Sequence, residues 1–332
     1  MDALSEILKV LRLTSGIFLE AEFTAPWCID SAPGKEDIAD LLPDAEHVAI
    51  FHLLADGACR ARLPDGGEAL DLVAGDLLMF PHGDAHVLGS DLQLHPVPAA
   101  ALVRPDTTGG LLRIRHGGGG PRTQFICGYM ACDKRLCRPL LSALPHILRV
   151  SLGADPATRW MLVALQHGAQ ETHAPQPGRE AVMGRLAELL FVEALRCYIR
   201  QLPENQQGWL AGLRDPYVGH ALALMHARPE HDWQVDSLAA EAGLSRSALA
   251  ERFSALIGEP PMQYLAHWRL ALAAQYLART SDAVARIGER VGYESEAAFN
   301  RAFKREFGAP PAAWRRSARL ARAAVSAGTG AG

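Results

Sequence analysis

The chain has 332 residues, 49% hydrophobic and 21% charged, with a net charge of −4. This composition supplies an ordinary core, excludes a disordered, collagen-like or disulfide-stapled protein, and fits one large domain or two ordinary ones. The net charge alone argues against a nucleic-acid partner, yet residues 243–332 hold 13 basic and 7 acidic side chains, so a basic C-terminal part with an anionic partner follows an acidic N-terminal one.

The opening MDALSEILKV has no basic leader region and reads as an amphipathic helix through Leu4, Ile7, Leu8 and Leu11. No run of 18 apolar residues occurs, so no membrane span is expected. From Leu13 to about Arg115, short apolar or alternating runs (GIFLEAEF, EHVAIFHLL, GACRARL, GDLLMF, AHVLG) are separated by Pro and Gly, which predicts a β-sandwich or barrel. The stretch Arg104–Arg122 contains four consecutive glycines and is expected as a mobile loop. TQFICGYM predicts one more strand, and PLLSALP a short helix. ATRWMLVALQHGAQET and REAVMGRLAELLFVEALRCYIRQL predict two helices, the second apolar on more than one face. Such a pair either packs on the barrel or forms a dimer interface. PENQQGW is expected as an inter-domain linker.

Beyond the linker, one plan occurs twice. VDSLAAEAG is a short helix closed by Gly243, and Ser245 caps SRSALAERFSALIG. VARIGERVG is closed by Gly292, and Ser295 caps SEAAFNRAFKREFG. Glycine after the first helix and serine before the second are what a helix-turn-helix needs. Phe299, Phe303 and Phe307 form the core stripe of the second unit, and Leu249, Phe253 and Leu256 that of the first. The outward faces carry Ala297, Asn300, Arg301 and Lys304 in one, and Arg246, Ser247, Ala250 and Glu251 in the other, groups that reach base edges and phosphates. Between the units, PPMQYLAHWRLALAAQYL predicts a helix with a Met262, Leu265, Trp268, Leu272, Tyr276 stripe.

Residues 215–316 closely resemble the DNA-binding domain of AraC/XylS-type transcription regulators, through WQVDSLAAEAGLS, ALAERFSALIGEPPMQYLAHWRLALAAQYL and IGERVGYESEAAFNRAFKREFGAPPAAWR. The resemblance implies base-facing positions at Ser247, Ala250 and Glu251, and at Glu296, Ala297, Asn300 and Arg301. It also implies a double-stranded DNA operator, RNA polymerase as a partner, and activation as the usual sign of regulation; a homodimer through the helical pair and a cytoplasmic location are expected from the sequence itself.

GDLLMFPHGDAH has the spacing G-x5-P-x-G-x2-H and resembles the second motif of cupin barrels, with His86 returning on a strand into the barrel. In cupin enzymes that histidine holds a metal. The H-x-H pair of their first motif is missing; His47 and His52 are five apart, and His82 sits in the turn. His86, with His52 and His82 as weak companions, is therefore either a metal ligand or a hydrogen-bonded barrel histidine, and no cofactor is expected. Together with the opening helix and CGYMACDKRLCRPLLSALP, this region resembles the cupin-type sensor of one AraC subgroup, which implies a small-molecule effector or an oxidant as signal.

The six cysteines (Cys28, Cys59, Cys127, Cys132, Cys137, Cys197) are expected as cytosolic thiols. Cys127 is either a buried small hydrophobe or a redox thiol, paired with a cysteine such as Cys28. His52, His86 and Cys127 are the candidate sensing residues, on strands lining one cavity. The expected fold is α+β in two domains: a cupin-like β-barrel with flanking helices over 1–200, its dimerisation segment at about 157–200; a linker over 201–214; an all-α double helix-turn-helix over 215–316; and a disordered tail over 317–332. The reading is a DNA-binding regulator and no enzyme. A metal-dependent cupin enzyme fused to a DNA-binding module is the alternative, and a DNA-repair methyl acceptor finds no matching cysteine set.

Overall fold

The alternating runs of the N-terminal half do fold as strands. A computed structural model of the chain describes residues 2–11, 13–32, 47–104, 111–153, 156–170, 177–203 and 206–328. Among them, two sheets make the barrel. One has the order β11-β6-β3-β10-β1-β9: β11 (Leu148–Ser151), β6 (Asp76–Phe80), β3 (His47–Asp56), β10 (Arg122–Cys132), β1 (Thr14–Thr24) and β9 (Leu112–Gly117). The other has the order β5-β4-β7-β2-β8: β5 (Leu70–Val73), β4 (Ala58–Arg62), β7 (His86–Gly89), β2 (Cys28–Ser31) and β8 (Val97–Pro98). β1 buries every second residue, Ile17, Leu19, Ala21 and Phe23, as a strand with one inward face must. β6 is buried throughout, because both of its faces are covered. Phe23 stacks on Trp27 with centroids 4.3 Å apart, and Phe125 meets both edge-on. A short helix, α2 (Ala99–Leu102), lies against β2 and β9.

The glycine-rich stretch is ordered where it is described. Residues 105–110 of the expected loop lie outside the described residues. Residues 112–117 form β9, parallel to β1. The amides of Gly118 and Gly120 then donate to the carbonyls of Thr24 and Ala25. A Cβ on Gly117 would stand 1.9 Å from the Thr24 oxygen, and one on Gly118 2.4 Å from Pro26 Cδ. Gly117, Gly118 and Gly120 thus serve close backbone approach.

Helices α4 (Pro156–Gln170) and α5 (Arg179–Gln201) pack on each other, and α5 also packs on β1. Ser15 Oγ donates to the Gly184 carbonyl at 2.8 Å. Met183, Ala187, Leu190, Phe191 and Ala194 are buried. The barrel reading of this pair thus accounts for one face of α5.

The second packing unit is helical. Residues Leu13–Cys132 and Leu144–Gln201 form the barrel unit. α1 (Ala3–Val10) and Asp133–Ala143, which holds α3 (Arg138–Leu141), group instead with the helices after Leu202. The cause is apolar burial: α1 lies on α7 (Pro216–Ala227) with Ala3, Ile7 and Leu11 buried, and Leu136, Cys137 and Leu140 are buried as well. Nor is 201–214 a bare linker. Residues 204–205 are not described, but α6 (Trp209–Arg214) buries Trp209, Leu210 and Ala211, and Trp209 Nε1–H donates to the Tyr264 hydroxyl at 2.9 Å.

Next come α8 (Val235–Ala242), α9 (Arg246–Ile257), α10 (Pro261–Arg279), α11 (Val284–Arg290), α12 (Glu296–Phe307) and α13 (Pro311–Gly328). On α10, Leu265, Trp268 and Leu272 are buried as expected, Met262 and Tyr276 only half-buried, and Tyr264 joins the core. The expected disordered tail from 317 is helical to Gly328, since its Ala, Arg and Leu residues favour helix; residues 329–332 lie outside the described residues.

Candidate nucleic-acid interface and barrel cavity

The two helix-turn-helix units form where their caps predict. α8 ends on Gly243 at φ 79°, and Gly292 follows α11 at φ 87°, left-handed conformations that glycine adopts without strain. Ser245 Oγ accepts from the Ala248 amide at 3.3 Å, and Ser295 Oγ from the Ala298 amide at 3.2 Å. Leu249, Phe253, Phe299 and Phe303 are fully buried; Leu256 and Phe307, expected in the same stripes, are half-buried.

These stripes fix what faces outward. Arg246, Ser247, Glu251, Glu296, Ala297, Arg301 and Lys304 are exposed, and Ala250 and Asn300 half-buried. Arg246 is not free, because its guanidinium meets Asp236 of α8 at 3.0 Å. Arg252 likewise meets Asp215 at 2.7 Å and lies over the Tyr217 ring. Neither pairing follows the i, i+4 spacing that a helix reading would find. Arg305, exposed on α12, is a further cation that the sequence reading omitted.

In the barrel the structure brings His52, His86 and Cys127 together. His52 of β3 and Cys127 of β10 are register partners, with Nδ1 2.9 Å from Sγ. His86 of β7 stands in the other sheet, its Nε2 2.8 Å from His52 Nε2. His86 Nδ1 lies 2.9 Å from the Asp84 carbonyl, and Phe80 stacks on its ring at 3.6 Å. The chain of bonds has one direction. A carbonyl only accepts, so His86 Nδ1 carries a proton, and a neutral His86 then accepts at Nε2. His52 Nε2–H donates to it, His52 Nδ1 accepts, and the Cys127 thiol donates.

Burial supports that neutral state. It holds His52 well below the ordinary histidine range, with His86 adding to the effect, and lowers His86 to about 4. Burial also pushes the Cys127 thiol up. Asp84, which orients His86 from the turn, was missed in the sequence; its place two residues before His86 was the available signal.

The ring nitrogens of this chain are committed. His82, the other metal candidate, aims Nε2 at the Leu144 carbonyl at 3.1 Å, and His47 at the Pro81 carbonyl at 2.6 Å. Among the described residues no three ligating side chains gather around one point, so the residues do not fit a cupin metal centre. The Cys28 pairing is not formed either: Cys28 packs with Val87 and Leu92, whereas Cys127 belongs to the main barrel core.

Beside this chain lies a cavity of about 300 Å³. Phe18, Phe23, Ile50, Leu112, Ile114 and Phe125 give it apolar walls, with His52 and Cys127 on one side. A bulge after Ile17 leaves Phe18 without a register partner, and Phe18 lines the cavity.

Comparison with known proteins agrees with both halves. A cupin family model matches residues 2–200, and a helix-turn-helix domain model matches residues 238–317. A putative AraC-like transcription regulator of Streptomyces antibioticus is 32% identical over 318 residues, 95% of this chain and 99% of that one. The HTH-type transcriptional regulator AlkR of Acinetobacter baylyi is 31% identical over 323 residues, 95% of this chain and 99% of its own length. The RCS-specific HTH-type transcriptional activator RclR of Escherichia coli is 28% identical over 96% of this chain and 99% of its own. Among solved structures, the DNA-binding domain of AdpA in complex with a target DNA is 31% identical, covers 32% of this chain and 95% of that one, and has a TM-score of 0.31. The chain belongs to the AraC-like transcription regulators, with a cupin domain followed by a helix-turn-helix DNA-binding domain.

Proposed function

We propose that this transcription regulator acts as an effector-dependent activator, with the barrel cavity as the effector site and α9 and α12 as the helices that read its operator. The observation that carries the effector reading is the cavity of about 300 Å³, with mainly apolar walls that include His52 and Cys127, two members of a neutral, internally satisfied chain that His86 completes behind them. It lies at the lower end of small-molecule sites, ~300–1,000 Å³. Neither histidine is poised to offer a charge, so the effector is small, uncharged and mainly apolar. An oxidant signal is less well supported, since Cys127 is fully buried and its thiol is held protonated. The activator role draws on the similarity to RclR, itself named a transcriptional activator.

The regulator works as a cytoplasmic homodimer beside RNA polymerase. Support for the dimer comes from α4 and α5, whose Trp160 (52% exposed), Val163 (62%) and Val182 (57%) present apolar surface to solvent. No described helix is long and apolar enough to cross a membrane.

The test is a thermal-shift titration with uncharged probes, from short-chain alcohols to alkylbenzenes, on the wild type and on Leu112→Trp, which fills the cavity. The expected result is a probe-dependent rise in melting temperature that Leu112→Trp abolishes while DNA binding persists. A rise that survives the tryptophan places the effector elsewhere.

A further inference from the structure

Helices α9 and α12 share one frame. Each starts after a capping serine, Ser245 or Ser295, and ends on a left-handed glycine, Gly258 or Gly308. A Pro-Pro pair follows each glycine, at 260–261 and 310–311. Position for position, the buried side chains correspond: Leu249 to Phe299 and Phe253 to Phe303. The outward ones differ in charge. Glu251 stands where α12 has Arg301, Ser254 where it has Lys304, Ala255 where it has Arg305, and Arg246 where it has Glu296.

Pairing widens the contrast. Both cations of α9 are engaged, Arg246 with Asp236 and Arg252 with Asp215. Glu251 is exposed, and among the described residues it has no cationic partner and neither Arg301 nor Lys304 has a carboxylate partner. At one equivalent place α9 thus offers a carboxylate, Glu251, and α12 a cation, Arg301; α12 adds Lys304 and, in its first turn, the exposed carboxylate of Glu296.

We propose that the two helices divide the work on an asymmetric operator. α12 supplies most of the affinity, Arg301 taking guanine O6 and N7 in the major groove and Lys304 a phosphate. α9 supplies selectivity at little gain in affinity, with the Glu251 carboxylate accepting from a cytosine N4 amino group and disfavouring other bases. The preferred DNA has a required guanine under α12 and a required cytosine under α9, about one helical turn away. This rests on the reading of α9 and α12 as the base-facing helices.

The experiment selects sites from a random-sequence duplex pool with the full-length protein, wild type and the variants Arg301→Gln, Lys304→Ala and Glu251→Gln. All three positions are exposed, and circular dichroism melts check that folding is kept. Arg301→Gln should lose affinity about 10-fold or more and relax one guanine; Lys304→Ala should lower the slope of log K against log salt by about one. Glu251→Gln should leave that slope unchanged and relax one cytosine. Equal losses of affinity and slope from both helices would overturn the division while leaving the DNA reading intact. If the wild type selects a site and none of the variants changes affinity, slope or sequence, the base-facing reading itself fails, as it does if the wild type selects no site.

Discussion

His52 and Cys127 face each other as register partners on β3 and β10, Nδ1 2.9 Å from Sγ, with the thiol as donor. Removing that donor orphans a buried ring nitrogen, which costs about 1–3 kcal/mol. Cys127→Ala should therefore destabilise the barrel by that amount. Cys127→Ser keeps an O–H to donate and should lose less. Urea denaturation of the two variants decides the matter; equal midpoints would mean that the thiol merely fills space.

The same chain makes stability depend on pH. His86 is held at about 4 when folded, and His52 is lowered too. Unfolded histidine titrates near ~6.5. Above that pH both states are neutral and these groups add no pH dependence. As the pH falls from about 6.5 toward 4, only the unfolded chain takes up the protons, so stability is lost across that window, by about 3 kcal/mol for His86. His226 in the helical unit, lowered to about 3 by burial, acts in the same sense. The informative quantity is hence the difference between wild type and His86→Gln, whose loss from pH 7 to pH 5 should be smaller. Parallel pH curves would show that the chain is protonated in the folded state.

The caps made the helical half legible: Gly243, Ser245, Gly292 and Ser295 each sit where local backbone chemistry alone demands them. The turn spacing before His86 likewise located a buried histidine. What failed was long-range. β9 is a strand because it pairs with β1, about ninety residues away in sequence, and its glycines then press against Thr24–Pro26. Trp209 is buried because Tyr264 accepts its N–H. α1 leaves the barrel because α7 covers its apolar face. None of these partners leaves a local trace in the residues it fixes. Arg246 read as a free base-facing donor for the same reason, since Asp236 lies across the turn.

The glycine run offers a paired comparison. Gly117 has φ 138°, and a Cβ there would collide with backbone 1.9 Å away; Gly119 has φ 87° but nothing within 4 Å. Gly117→Ala must displace the β1–β9 pairing, whereas Gly119→Ala meets only local backbone strain, about 1–2 kcal/mol. Chemical denaturation should rank Gly117→Ala clearly below Gly119→Ala, and both below wild type. The reverse order would contradict close approach as the reason for the run.

Ile7 is fully buried, Ala3 and Leu11 nearly so, and α1 packs on α7, which precedes the first helix-turn-helix. Truncating a fully buried isoleucine costs about 2–5 kcal/mol. If the opening helix belonged to the barrel, Ile7→Ala would weaken the barrel; since it covers α7, the loss should fall on the helical unit. The two units can be told apart in calorimetry, because duplex DNA raises the transition of the unit that binds it. Ile7→Ala is expected to lower that DNA-sensitive transition and leave the other in place. A fragment spanning 215–316 lacks α1, α6 and Asp133–Ala143, and should accordingly melt below the corresponding transition of the full chain. A fragment as stable as the full chain, together with an unmoved DNA-sensitive transition in Ile7→Ala, would show that α1 contributes nothing to the DNA-binding fold.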